Sequence, residues 1–572
     1  MLKVNGSSAT VKSRTPFRSM VPLVSTGRTD IILVYLSQID ISTMKLRCLA
    51  LLTLLAGAIP AQPVVGKPKL VVVVVVDQFR YDYLTRFRAD YHGGLDRMLR
   101  EGAVFTNARY AQSPTVTAVG HSILLTGAMP TVSGIAGNAW FDREENKQVT
   151  SVCDWSCKLV GAETPRPGPR CEDSDPASPR RLLVSGIGDQ LKDSDPRSKV
   201  FGLSLKPRSA ILPSGHRADG AFWFDERSGA FISSDFYFTE LPRWVRQFND
   251  QHLARAYLDK KWEGFESWDF HAEEGSPRKY ERLAASPWGN ELLEKLAEQA
   301  IDGEALGSRG ATDLLIVSFS SNDYVGHRTG PDSPEVRDMC LRTDRLLAKL
   351  LDAVAKKIGL DNALFVLSAD HGVAPVPEVQ EPRKMPGGYI YADIEDVVRT
   401  ALRKKFGSGE LILASVENEI YLDYKALEQR KVDLATACRT GADALLAAPI
   451  HVARVFTRDQ LEGGAASDPI AQAVANGFYP ARSGDIIVVF EPYWMPYMKP
   501  PAKTTHFTPY NYDTHVPVIF FGAGIKPGWY RDNIQVNDVA PTLAALMDVE
   551  IPSGAFGRVL TEALSERRPA AR

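Results

Sequence analysis

Residues Lys69-Leu-Val-Val-Val-Val-Val-Val76 constrain the fold more than any other stretch. An unbroken β-branched run has no polar face to offer water. It must be a strand covered on both sides, as in a parallel sheet flanked by helices. Pro68 bounds it and Asp77 ends it. Asp313-Leu-Leu-Ile-Val-Ser-Phe319 is a second such run, leading into Ser320-Ser-Asn-Asp323-Tyr-Val-Gly-His327. Asn362-Ala-Leu-Phe-Val-Leu367 is a third, leading into Ser368-Ala-Asp370-His371-Gly372. Between them Pro334 opens a helix whose apolar residues, from Val336 to Ile358, recur at close to a helical period, and Gly359 ends it. Strand, helix and strand make a parallel unit, with Asp77 and both Asp/His pairs on the carboxyl edge where such sheets bind ligands.

A fourth core piece comes late. Val516-Pro-Val-Ile-Phe-Phe521 reads as a strand preceded by His506 and His515, and Asn537 to Leu546 as a capped helix with Pro541 in its first turn. Long stretches break this βα rhythm. The expected layout is core from 65–140, 301–375 and 483–572. Residues 141–300 and 376–482 are expected to be insertions that cap the strand ends.

One hydroxyl-rich turn stands out: Pro114-Thr-Val-Thr117-Ala-Val-Gly-His121, continuing to Gly137-Asn138. A hydroxyl at a helix start meets unpaired N–H groups and the positive dipole end, which suits chemistry on an anion. The plainer alternative is that Ser113 or Thr115 only caps the helix.

The N-terminal region carries a different message. Lys45 and Arg47 form a basic segment, Leu49 to Leu55 a short apolar one, and Ala56-Gly57-Ala58 a small-residue cleavage site. Residues 44–58 therefore read as a secretory signal, with 1–43 upstream of the natural start at Met44. An uncut anchor is the alternative, although the run is short for a span of about 20 residues. Cys48 would leave with the signal. Cys153, Cys157 and Cys171 lie close together and Cys340 and Cys438 apart, which suggests a disulfide within the cluster and a spare thiol in an exported protein. A formal net charge of −2 gives no sign of nucleic acid or of a polybasic membrane surface.

Asp and His at strand ends supply oxygen and nitrogen ligands without thiolate, a set suited to catalytic zinc. Two such sets around a hydroxyl make a two-metal centre for in-line displacement. In combination, Val76-Asp77, Pro114-Thr-Val-Thr117, Gly137-Asn138, Lys206-Pro-Arg208, Asp323-Tyr-Val-Gly-His327, Ala369-Asp370-His371-Gly372 and Thr505-His506 resemble the alkaline phosphatase superfamily. The resemblance is to the bacterial phosphate-irrepressible type with a threonine nucleophile. It implies a three-layer α/β/α fold with a mostly parallel central sheet and inserted cap subdomains. It implies Thr117 as nucleophile and two Zn2+ ions, one held by Asp77, Asp370, His371 and Thr117, the other by Asp323, His327 and His506. Asn138, Lys206 and Arg208 would contact the phosphoryl oxygens. His506 precedes Phe507 where the family usually has glycine, and His515 is its rival. His121 reads as structural.

The Lys206/Arg208 pair decides the substrate class. A monoester presents a dianion that a point charge and a planar fork can hold, whereas a diester carries a second organic group there. The expected activity is that of a periplasmic or secreted monomeric phosphate-monoester hydrolase, acting through a phosphothreonine intermediate. It would have no nucleic-acid partner and no membrane span after signal cleavage. The competing readings are a nucleotide pyrophosphatase/phosphodiesterase of the same superfamily, or a metal-binding protein with a dead site.

Overall fold

The computed structural model describes residues 66–265, 278–464, 468–500 and 502–565. The upstream extension and the signal-like segment lie outside them. The main sheet has ten strands. In chain order they are β1 (Leu70–Val76), β2 (Ala103–Phe105), β3 (Leu159–Val160), β4 (Val200–Ser204), β5 (Gly220–Asp225), β6 (Ala230–Ser234), β7 (Asp313–Phe319), β8 (Ala363–Ser368), β9 (Val518–Gly522) and β10 (Gly528–Tyr530). Across the sheet the order is β10-β2-β9-β8-β1-β7-β4-β5-β6-β3.

The centre, β8-β1-β7-β4-β5, is parallel throughout. Every residue of β1 is fully buried, as a strand of valines with no polar face requires. Antiparallel pairings, β8 with β9 on one side and β5 with β6 on the other, end the parallel block. Two helix layers cover it. One packs Gly94–Glu101 and Pro287–Gly303 against a long helix, and the other gathers Ile187–Ser194 and Val539–Met547 around a helix starting at Thr117. The arrangement is the expected three-layer α/β/α architecture. In the long helix, Pro334–Ile358, Ser333 accepts a hydrogen bond from the Val336 N–H and Gly359 follows the last turn with φ 78°, as the sequence signals indicated.

Two expected boundaries need correction. Residues 141–300 are not simply an insertion, because β4 sits inside the parallel block between β7 and β5, and β3, β5 and β6 extend the same sheet. The short strands of this span carry too little contiguous apolar sequence to announce a central position. The cap does not end at 482. Its antiparallel sheet runs Ile412–Val416, Glu419–Leu422, Ile486–Phe490, Val452–Thr457, so the third strand comes from beyond that boundary. Trp494–Pro496 returns to pair with Gly388–Ile390. With the helices Ile394–Phe406 and Leu434–Ala447 this sheet buries its own core, including Val398, Ile420, Cys438 and Ile486.

The cap rests on the segment that follows Thr117. Arg143 donates to Leu422 O and to Asp485, and Arg482 donates to Gly134 O. Of the clustered cysteines, Cys153 and Cys171 form the disulfide and Cys157 is a buried free thiol.

Candidate metal centre

Three parallel strands deliver three carboxylates to one edge. Asp77 follows β1, Asp370 follows β8 by two residues, and Asp323 lies in the first turn of the helix Ser321–Thr329 that follows β7. On that helix His327 is one turn on from Asp323 and so shares its face, with Nε2 3.1 Å from Asp323 Oδ1. The loop before β9 brings in His506. Two groups result whose ligand atoms lie within 4.8 Å of one another: Asp77, Asp370 and His371, and Asp323, His327 and His506.

Each histidine is oriented from behind. The Nδ1 atoms of His371, His327 and His506 face the carbonyls of Gly372, Thr504 and Thr115 at 2.9, 2.7 and 2.7 Å. A carbonyl only accepts, so each Nδ1 carries a proton, and each Nε2 is turned towards the carboxylates. His371 Nε2 stands 3.5 Å from Asp77 Oδ1 and 3.4 Å from Asp370 Oδ2, and both of those oxygens are buried without a hydrogen-bond partner. Buried acceptors left unpartnered beside a free imidazole lone pair are a donor set that a divalent cation completes. Sequence and geometry agree on the fit.

The charge balance points the same way. Three buried carboxylates face one ammonium, that of Lys206, whose Nζ donates to Asp77 Oδ2 and Asp323 Oδ2, each at 2.7 Å. Burial and the neighbouring Asp370 carboxylate push Asp77 well above the usual carboxylate range. Burial would raise Asp323 too, but Lys206 and His327 hold it well below that range. Burial opposes the charge on Lys206, yet Asp323 and Asp77 keep it firmly protonated. Burial, with His371 and His327 alongside, drives His506 far below the ordinary imidazole value, so it is a neutral donor.

Thr117 is the first residue of the helix Thr117–Thr126, and extended Val116 is its N-cap. Its Oγ1 is 3.4 Å from His371 Nε2. Thr115 does not cap the helix; its hydroxyl donates to Thr508 O. The Asn138 side-chain oxygen accepts from the Ala118 N–H at 2.9 Å, which fixes its carboxamide beside Thr117. The structure brings His506 to the second group and sends His515 elsewhere. The His515 ring stacks on Tyr81 and its Nε2 bonds Thr106 O.

Phe507 has φ 134°, a left-handed value that explains why glycine suits this position. His121 bonds Thr117 O and Ser318 and lies 3.3 Å from Asp370 Oδ2. It braces the site, in keeping with a structural reading. Lys206 and Arg208, expected on phosphoryl oxygens, are anchored here by carboxylates: Lys206 by the two already named, Arg208 by Asp173. Both line a cleft of about 380 Å³ with Tyr324, whose ring lies 4.8 Å from the Lys206 ammonium.

Sequence reasoning missed two residues. Gln78 touches both groups. Glu417, at the tip of a cap hairpin, packs its carboxylate against Gly137, the residue before Asn138. Neither lies in a pattern of metal-binding residue types, so nothing but its position next to Asp77 could have singled out Gln78, and nothing at all Glu417.

A family model described as type I phosphodiesterase/nucleotide pyrophosphatase matches residues 71–514. Alkaline phosphatase PafA of Elizabethkingia meningoseptica is 37% identical over 535 residues, covering 87% of this chain and 95% of that protein. Alkaline phosphatase PhoV of Synechococcus elongatus is 35% identical over 562 residues, covering 91% and 100%. The crystal structure of wild-type PafA matches with a TM-score of 0.81 at 36% identity, over 88% of this chain and all of that one.

Proposed function

We propose that this chain, which belongs to the type I phosphodiesterase/nucleotide pyrophosphatase family and, within the alkaline phosphatase superfamily, to its PafA-like phosphatases, works as an exported zinc enzyme. It is an alkaline phosphatase that hydrolyses phosphate monoesters with a threonine nucleophile. The observation that carries this reading is the convergence on Thr117. Its hydroxyl opens a helix 3.4 Å from His371 of one group, and His506 of the other group stacks on that same ring.

Asp77, Asp370 and His371 would hold one ion, with the Thr117 hydroxyl beside them, and Asp323, His327 and His506 the other. Zinc is the metal proposed, because the donors are oxygen and imidazole nitrogen without thiolate. Bound there, divalent cations acidify a neighbouring hydroxyl and offset charge on phosphoryl oxygens. Thr117 loses its proton and its Oγ attacks phosphorus. The bond from phosphorus to the alcohol oxygen breaks, and the alcohol departs with a proton. Water then opens the phosphothreonine, restoring Thr117 and releasing phosphate. The positive end of the helix faces the charge that builds on the phosphoryl group. A dianionic group entering beside Thr117 also meets the Lys206 ammonium, held charged between Asp77 and Asp323. Asn138 and Arg208 orient its remaining oxygens.

Export and a monomeric state complete the proposal. The signal-like segment at 44–58 and the Cys153–Cys171 disulfide support an oxidising compartment. No helix among the described residues is long and apolar enough to cross a membrane. The deciding assay is kcat/KM of the zinc-loaded protein for a phosphate monoester against a matched diester. A monoester preference is expected. A diester preference would make it a nucleotide phosphodiesterase, and no turnover of either would make it a metal-binding protein.

A further inference from the structure

We infer that Gln78 is a positioning residue that couples the two groups, holding one carboxylate of each. This rests on reading the groups as metal sites. Gln78 follows Asp77 at the end of β1 and is 3% exposed. Its backbone N–H donates to Asp370 Oδ1 at 3.1 Å. Its side-chain Nε2 donates to Asp323 Oδ1 at 2.7 Å. Asp370 belongs to the first group and Asp323 to the second, so two metal sites share one residue as their outer support.

Two further observations show that this contact is built in. Gln78 has φ 61°, in the left-handed region that glycine enters freely and residues with a side chain rarely adopt. A strained conformation of this kind persists only where the surroundings over-determine it, and such residues gather at functional sites. The second is Gly326, next to His327 on the helix that carries the second group. A Cβ at Gly326 would collide with Gln78 Oε1. The helix is therefore cut away on that face to admit the amide, which seats Oε1 against the backbone and turns Nε2 to Asp323.

The consequence is a division of oxygen atoms. Asp323 gives Oδ2 to Lys206 and Oδ1 to Gln78. Asp370 gives Oδ1 to the N–H groups of Gln78 and His371, leaving Oδ2 free of hydrogen bonds. Bonds from behind fix each carboxylate plane, and such outer contacts are typically worth about 10- to 100-fold in metal affinity.

Gln78→Gly separates the two halves. It keeps the N–H that serves Asp370, suits the left-handed backbone, and removes only the amide that serves Asp323. The full-length protein is stripped with a chelator and titrated with zinc against a chromophoric competitor, with thermal unfolding followed in parallel. Wild type is expected to take up two zinc ions. Gln78→Gly should bind one of them as wild type does and the other roughly 10- to 100-fold more weakly. Gly326→Ala, which presses on the same amide from the helix, should weaken the same ion. Wild-type affinities at both sites of Gln78→Gly would overturn the inference. So would equal weakening of both ions together with a lowered melting temperature, which marks a residue that only supports the fold. Failure of wild type to bind two ions would instead overturn the metal reading itself.

Discussion

The imidazoles of His371 and His506 lie face to face, with ring centroids 3.6 Å apart and planes 20° from parallel. One ring belongs to each metal-capable group, so the pair is the seam between them. Two charged imidazoles could not share this contact. Burial lowers both, and each His Nδ1 is tied to a backbone carbonyl, so both rings stay neutral donors. His506→Ala should therefore empty one of the two groups. Zinc per chain should fall by about half and monoester kcat/KM by orders of magnitude, whereas His515→Ala should keep both. Elemental analysis alongside steady-state kinetics checks this, and the opposite pattern would hand the ligand role to His515.

Thr117→Ala should leave a folded, zinc-binding protein, because Asp77, Asp370 and His371 remain. Removing a covalent nucleophile costs at least about 10³-fold in kcat. Thr117→Ser should retain much of the activity. Thr115→Ala is the control: its hydroxyl serves Thr508 O and should be dispensable for turnover. A loss within about tenfold for Thr117→Ala, less than about 1.4 kcal/mol in barrier, would reassign the nucleophile.

The legibility of this site followed from where each residue sits in the chain. Asp77, Asp323 and Asp370 each close an apolar run, and a run with no polar face has one possible place in a fold. Thr117 was singled out only by resemblance, because Ser113, Thr115 and Thr117 all put a hydroxyl near the helix start and local sequence does not choose among them. The chemistry of Lys206 was readable, but its contact was not, since no local pattern encodes an ammonium lying between carboxylates 129 and 117 residues away in sequence. Gln78 was hidden because positive φ leaves no trace in an amide side chain. The place of β4 in the sheet was hidden for another reason. Five residues containing a glycine look alike in a core and in an insertion, and only their partners on both sides distinguish them.

Glu294 should make the protein less stable at alkaline pH. It sits in the helix Pro287–Gly303 at 1% exposure with Oε1 unpartnered, and burial and the Glu298 carboxylate push it up to about 8. A group raised in the folded state binds more protons there than in the unfolded chain, from the usual Glu range near 4.3 up to about 8. Stability then falls as pH rises through that window. Glu294→Gln removes this slope. Its melting temperature relative to wild type should climb between pH 5 and pH 9, and a constant difference would show that Glu294 does not titrate in the fold.

Lys206 should be worth more to the metal-free protein than to the zinc-loaded one. Its ammonium is the cation between Asp77 and Asp323, one carboxylate from each group. Removing one partner of a buried ion pair typically costs about 3–5 kcal/mol, because the other charge stays buried. Lys206→Met keeps the bulk of the stem and deletes the charge. Without zinc, the ionised Asp323 would lose its counter-cation and the melting temperature should drop sharply. With zinc, both carboxylates would gain divalent partners and the drop should shrink. The same variant bears on substrate class. A hydrogen bond to a charged partner contributes about 1.5–3 kcal/mol, so losing it should lower monoester kcat/KM by roughly 10- to 150-fold. A diester carries less charge there and should lose less. Arg208→Ala should show the kinetic asymmetry without the zinc-dependent one, because its carboxylate partner, Asp173, belongs to neither group. Calorimetry with and without zinc, paired with kinetics on a matched monoester and diester, separates the two roles. An equal thermal loss in both metal states would mean that Lys206 only supports the fold. An equal kinetic loss on both substrates would remove Lys206 and Arg208 as the source of monoester preference.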